Sequence, residues 1–212
     1  TALAWTGWPD AALDRQTPAP GGVRTAGVLK SLYWQYALNA VGLVPHMLFA
    51  VDYIARGLGQ GLAAGARYWL LLGAGAVFGP MILGRIADRT GFARAIRWAY
   101  PAEAAAIALV VAGTPVAMAV SSAVVGAFIP GVTALTLGRV RELAAGEAAR
   151  QTEAWGFATA AFSVGQAAAG YGCAWIIKQR DDYALIFVLG AGALLLALAI
   201  NLAFEGRAAR RP

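Results

Sequence analysis

Gly84-Arg85-Ile86-Ala87-Asp88-Arg89-Thr90-Gly91 is the stretch whose reading decides the fold of this chain. It is a short charged segment between two strongly apolar ones. Residues 68–83 before it carry no charge, and between residues 98 and 127 after it Glu103 is the only charged side chain. A water-soluble domain seldom sets a dense charge cluster between two such runs. A chain that crosses a bilayer repeatedly does so wherever two spanning helices meet the cytoplasm. Gly84 and Gly91 supply flexible backbone for a tight connection. The pattern predicts a turn that places Asp88 just ahead of a helix N-terminus, where unpaired N–H groups and the helix dipole favour a carboxylate. Arg85 and Arg89 are expected to pair with Asp88 or to hold the cytoplasmic surface.

Composition supports the membrane reading. The 212 residues are 59% hydrophobic and 13% charged, with a mean hydropathy of +0.61. Ordinary globular domains carry about 25% charged residues, so this apolar excess does not fit a single water-soluble core. The 26 glycines suit close helix packing in lipid, where small residues let backbones approach. Cys173 is the only cysteine, which excludes an internal disulfide framework and a Cys-based metal cluster. A net charge of +6 raises the question of nucleic acid, which the placement of the arginines answers below.

Residues 10–30 begin polar and rich in Pro and Gly, and are expected to form a cytoplasmic linker. Trp5 and Trp8 precede it, no Met opens the chain, and no signal peptide pattern is present. Residues 1–9 are therefore expected to be the interfacial end of an earlier helix, and the chain a piece of a longer protein. Six apolar segments follow at residues 32–54, 68–86, 95–112, 116–137, 154–177 and 183–204. A spanning helix needs about 20 mostly apolar residues. Barrel strands would alternate in period two instead. The expectation is an all-α integral membrane protein with six transmembrane helices over residues 31–205 and a cytoplasmic tail at 206–212.

Lys and Arg set the orientation. With the linker in the cytoplasm, that side holds Arg15, Arg24, Lys30, Arg85, Arg89, Arg94, Arg97, Arg139, Arg141, Arg150, Arg207, Arg210 and Arg211. The other side holds Arg56, Arg67, Lys178 and Arg180. Both ends of the six-helix unit are thus expected in the cytoplasm of a multi-pass protein of the plasma or inner membrane. The same bias explains the positive charge without nucleic acid.

Six helices with cytoplasmic ends, preceded by a polar linker, resemble the C-terminal half of a major facilitator superfamily (MFS) transporter. That superfamily carries a Gly-x-x-x-Asp-Arg-x-Gly signature between the second and third helices of each half, matched here by Gly84, Asp88, Arg89 and Gly91. The superfamily pattern continues with two basic residues, whereas here Phe92 and Ala93 precede Arg94. Residues 36–47 (YALNAVGLVPHM) and 162–172 (FSVGQAAAGYG) are similar to the YbfB/YjiJ-like branch. The resemblance covers about residues 27–204. It implies one half of a two-half bundle, a small-molecule substrate, a missing N-terminal half, alternating access driven by protons, and a gating role for residues 84–91 that includes Arg85. The competing reading of that motif is a charged loop that only fixes topology.

Polar groups inside spanning helices are costly and usually face a cavity or a partner. Tyr36, Asn39 and His46 fall on one face of the first helix, which in the superfamily lines the substrate cavity, and are candidate cavity residues. The competing reading of His46, the only histidine, is interhelical packing with a backbone partner. Pro45 beside it frees a carbonyl and favours a kink. Glu103 is the only acid well inside a predicted helix and is the candidate proton site; its competing role is a structural hydrogen bond to a neighbouring helix. Asp52, near the outer end of the first helix, is an entrance charge at best. Thr159, Ser163, Gln166 and Gly170 share a face of the fifth helix, with Gln166 a further cavity candidate. Gly75 and Gly79 form a GxxxG packing face.

No cofactor is expected. The glycine-rich residues 57–61 lack a preceding strand and a lysine, so they are no phosphate loop. No metal-spaced ligands and no Ser–His–Asp set are present. The reading that results is a secondary active transporter and not an enzyme. The alternatives are a six-span membrane enzyme or scaffold, which needs a compact ionisable cluster, and a half-size transporter that dimerises.

Overall fold

The computed structural model describes residues 22–209, with side chains for 25–204. Among these residues it holds helices and short connections and no strand. We number six helices. α1, residues 22–57, is α-helical over Gly22–Val44 and passes through two π-helical turns at Pro45–Phe49 and Tyr53–Gly57. α2 is Leu62–Thr90, α3 is Phe92–Leu109 with a 3-10 turn at Val110–Ala112, and α4 is Pro115–Leu143. α5 is Ala148–Arg180 and α6 is Tyr183–Ala209. All six are long and apolar enough to cross a membrane. α5, with 33 residues, spans about 50 Å at 1.5 Å per residue, well beyond a hydrocarbon core of about 30 Å. The helices therefore extend past the apolar runs into their charged flanks.

Three boundaries differ from expectation. α1 starts at Gly22, inside the stretch expected as linker, and α6 reaches Ala209, inside the expected tail. Residues 1–21 and 210–212, which include the expected end of an earlier helix, lie outside the described residues. The third difference concerns residues 84–91, which are not a loop. α2 continues through Arg85, Asp88 and Arg89 to Thr90, and α3 begins at Phe92. Gly91 alone makes the connection, at φ 83°, with its N–H on the carbonyl of Ala87 at 2.7 Å. Nothing from Arg85 to Thr90 breaks a helix, and the positive φ falls on the residue that lacks a Cβ. Asp88 therefore sits in the last turn of α2, not ahead of the N-terminus of α3.

The helices pack in the order α2, α4, α3, α6, α1, α5, each mainly on its neighbours in that row. α2 and α5 are the flanks. In their most apolar windows 22% and 11% of residues are buried, against 56% in α1, so both flanks present open faces. Short polar caps start two helices. Thr114 Oγ1 accepts from Ala117 N at 3.3 Å ahead of α4, and Asp182 Oδ1 accepts from Leu185 N at 3.0 Å ahead of α6.

The α2–α4 seam is the tightest contact in the bundle. A Cβ on Gly75 would overlap the carbonyl of Ala123, one on Gly79 that of Ala127, and one on Gly126 that of Leu72. These are backbone atoms, which cannot swing away as a flexible side chain can. Gly79→Val should therefore part the two helices and lower the melting temperature of the protein in detergent, at a cost of about 1–3 kcal/mol or more. Gly84→Ala is the control. A Cβ there meets nothing within 4 Å and alanine favours a helix, so the melting temperature should hold or rise slightly. Equal melting of the two variants would refute the seam.

Candidate functional site

α1 carries a polar stripe that composition alone does not reveal. Ser31, Gln35, Asn39 and His46 are spaced four, four and seven residues apart, which keeps them on one face. Their exposures are 3%, 0%, 0% and 0%. Buried polar groups need partners, and the stripe finds them on α3, α4 and α6.

The central pair is Asn39 with Glu103. Asn39 Nδ2 donates to Glu103 Oε2 at 2.8 Å across α1 and α3, and both side chains are fully buried. Glu103 thus makes an interhelical hydrogen bond. Its other oxygen, Oε1, and Asn39 Oδ1 have no hydrogen-bond partner. Among the described residues no Lys or Arg forms an ion pair with this carboxyl.

Two turns further along α1, His46 Nε2 lies 2.8 Å from Ser121 Oγ of α4. Ser121 Oγ donates its one proton to the carbonyl of Ala106 on α3, at 2.6 Å. Ser121 therefore accepts from His46, which fixes the proton on Nε2 and leaves Nδ1 as a bare acceptor. Nδ1 has no partner. Phe187 of α6 stands edge-on to the imidazole with ring centroids 5.2 Å apart. His46 also lies in the first π-turn, which Pro45 opens. Pro45 has no N–H to return to the carbonyl four residues earlier, and the helix widens into a π-turn there.

Toward the Gly91 end of the bundle the stripe closes into a clasp. Asn201 of α6 donates to Gln35 Oε1 at 3.0 Å, and Arg97 Nε of α3 donates to Asn201 Oδ1 at 3.1 Å. Ser31 Oγ donates to the carbonyl of Val28 at 2.8 Å. Sequence reasoning missed Ser31, Gln35, Arg97, Ser121 and Asn201. The four-residue polar spacing on α1 was the available signal for the first two.

Tyr36 does not share the surroundings of Asn39 and His46, although all three are expected on one face. Its hydroxyl donates to Thr133 Oγ1 of α4 at 3.0 Å. Its ring lies 4.7 Å from Phe162 and 6.1 Å from Trp155 of α5, centroid to centroid. One helical step of 300° from Tyr36 to Asn39 is enough to send them to different neighbours. Asn39 and His46 have no accessible surface, so in this conformation they line no open cavity. Gln166 is half-buried, with Nε2 at 3.8 Å from Met47 Sδ. On the same face of α5, Thr159 and Ser163 are exposed and turn their hydroxyls back onto carbonyls of their own helix.

Gly84, Arg85, Asp88, Arg89 and Gly91 lie at the end of the α2 flank. Arg85, Asp88 and Arg89 are exposed, and among the described residues none has an ion-pair or hydrogen-bond partner. The expected pairing of Asp88 with Arg85 or Arg89 is not formed. Two other arginines at this end pair locally, Arg139 with Glu142 at 2.9 Å and Arg150 with Glu147 at 3.3 Å. At the opposite end Asp52 is held by Arg56 at 3.0 Å and accepts from the Tyr183 hydroxyl at 2.5 Å. These residues line a polar concavity of about 750 Å³ together with Arg180, Asp181 and Asp182. Among the described residues no group of three His, Cys, Asp or Glu is placed to hold a metal.

The arrangement holds a carboxyl against an amide inside the bundle and leaves two open flanks. No curated protein and no solved structure matches the chain. The profile of the family described as "Uncharacterised MFS-type transporter YbfB" matches residues 2–202. With six spanning helices and that match over nearly its whole length, the chain belongs to this family of multi-pass membrane transporters.

Proposed function

We propose that this chain is one six-helix half of a secondary transporter that moves a small solute by alternating access, coupled to protons, with Glu103 as the group that takes up and releases the proton. The observation that carries the reading is the Asn39–Glu103 bond. It holds an ionisable side chain in mid-helix, with no accessible surface, against a neutral amide. Ionisable groups at such depth are costly and mark ion or proton pathways.

The remaining assignments follow from position. The open flanks α2 and α5 are the surfaces for a second half, and residues 84–91 act at that junction as a cytoplasmic latch. The Arg-rich Gly91 end faces the cytoplasm of the plasma or inner membrane. Tyr36 and Gln166, with Thr133 and Phe162 beside them, form the solute face between α1, α4 and α5. Asn39 and His46 stand behind them, on the side of the proton.

The test is a solute screen on the natural full-length protein reconstituted in liposomes under an imposed pH gradient. At least one small solute should accumulate, and a protonophore should collapse the accumulation. Accumulation that ignores the protonophore would remove protons as the coupling ion.

A further inference from the structure

Three buried acceptors along the seam of α1 with α3 and α4 remain without a protein partner: Asn39 Oδ1, Glu103 Oε1 and His46 Nδ1. Each belongs to a side chain with no accessible surface, and each of those side chains spends its other polar atom on a protein bond. Leaving a buried acceptor unmade costs about 1–3 kcal/mol. Three in one seam call for a common ligand that can donate to all of them.

Two links place the three atoms along one seam. Asn39 is bonded to Glu103 directly. Ala106, whose carbonyl anchors the Ser121–His46 pair, lies three residues beyond Glu103, about 4.5 Å along α3. No cation reaches the seam among the described residues. The titratable groups around it are Glu103 and Tyr100 on α3 and His46 on α1. α4 presents Ser121 and Ser122, and α6 presents Phe187, with Tyr53 of α1 on its other side.

We infer that α1, α3 and α4 enclose a cluster of ordered water held by Asn39 Oδ1, Glu103 Oε1 and His46 Nδ1, and that Glu103 exchanges its proton through it. This rests on the reading of Glu103 as the proton site and adds the ligand and a positioning role for His46. Water suits the site because it donates two hydrogen bonds, accepts two, and fits where buried polar atoms converge. Ser121 locks the imidazole with its proton on Nε2, so Nδ1 always offers its lone pair to water. A water proton points at Nδ1, the water oxygen is left facing Glu103, and a proton leaving Oε1 has an acceptor. The transfer balances: the Oε1–H bond breaks as an O–H bond to that water forms, and the positive charge passes on along the cluster.

Solid-state NMR of the full-length protein in lipid, labelled with 15N-histidine, tests this without altering the site. His46→Gln serves only to assign the resonance. Near neutral pH the imidazole should show its proton on Nε2 and a bare Nδ1, with magnetisation transfer from water to the ring. Ser121→Ala should reduce the Nε2–H form, because its acceptor is gone. A ring with no transfer from water, or with its proton on Nδ1, overturns the inference even if Glu103→Gln loses proton coupling. Proton-coupled uptake that survives Glu103→Gln would overturn the parent reading instead, whatever the NMR shows.

Discussion

Glu103→Gln should abolish uphill accumulation of the solute while leaving the protein folded. Glutamine has the shape of the glutamic acid it replaces, and its carbonyl can still accept from Asn39 Nδ2, as Oε2 does at 2.8 Å. One new amide hydrogen also finds an acceptor, since Asn39 Oδ1 is unpaired. The pair becomes doubly hydrogen-bonded and one amide hydrogen is left over, to be taken by buried water or to cost about 1–3 kcal/mol, so the protein should stay folded with at most a modest fall in melting temperature. What is lost is the exchangeable proton. One proton per cycle moving down a gradient of one pH unit sustains about a tenfold accumulation, since a tenfold ratio corresponds to about 1.4 kcal/mol. In Glu103→Gln the ratio in energised proteoliposomes should fall to about one. A ratio that stays near tenfold and remains sensitive to a protonophore would show that the proton is carried elsewhere.

Asp88→Asn should lower transport by an order of magnitude or more with no loss of membrane insertion, and the structure gives this prediction a sign for stability as well. Asp88 is exposed, in the last turn of α2, and has no partner among the described residues. A negative charge at a helix C-terminus opposes the dipole by about 0.3–1 kcal/mol. Removing it should leave this six-helix unit unchanged or slightly more stable. A loss of transport in Asp88→Asn then comes from a contact outside the unit and not from damage within it. Full transport would end the latch role. A clear fall in melting temperature would mean that Asp88 is bonded inside the unit after all.

The membrane fold was legible in the sequence because it rests on bulk quantities. Run length, the scarcity of charge and the bias of arginine survive any detail of packing. Helix ends were harder to read, because a spanning helix continues beyond its apolar run at little cost. Residues 84–91 show this best. The charges suggested a loop, but Arg85, Ala87 and Arg89 are good helix formers and only Gly91 turns the chain. The candidate residues were legible in the sequence and their partners were not. Asn39, His46 and Glu103 stood out as polar residues in apolar helices. Periodicity gives the angle of a side chain around its own helix and says nothing about which helix lies opposite. That is why Tyr36 was grouped with Asn39, and why Ser121 and Asn201, ordinary residues by composition, were overlooked.

The connection at Gly91 has a mechanical consequence. A single residue joins two long helices, so α2 and α3 meet with no slack between them. A displacement of the Asp88 end of α2 is therefore passed directly to the start of α3, while a tilt can also turn about Gly91. Glu103 stands eleven residues along α3, about 17 Å from its start. A longer and looser connection would let the cytoplasmic charges move on their own. Under the proposed reading, this one would let whatever grips the end of α2 bear on the Asn39–Glu103 bond.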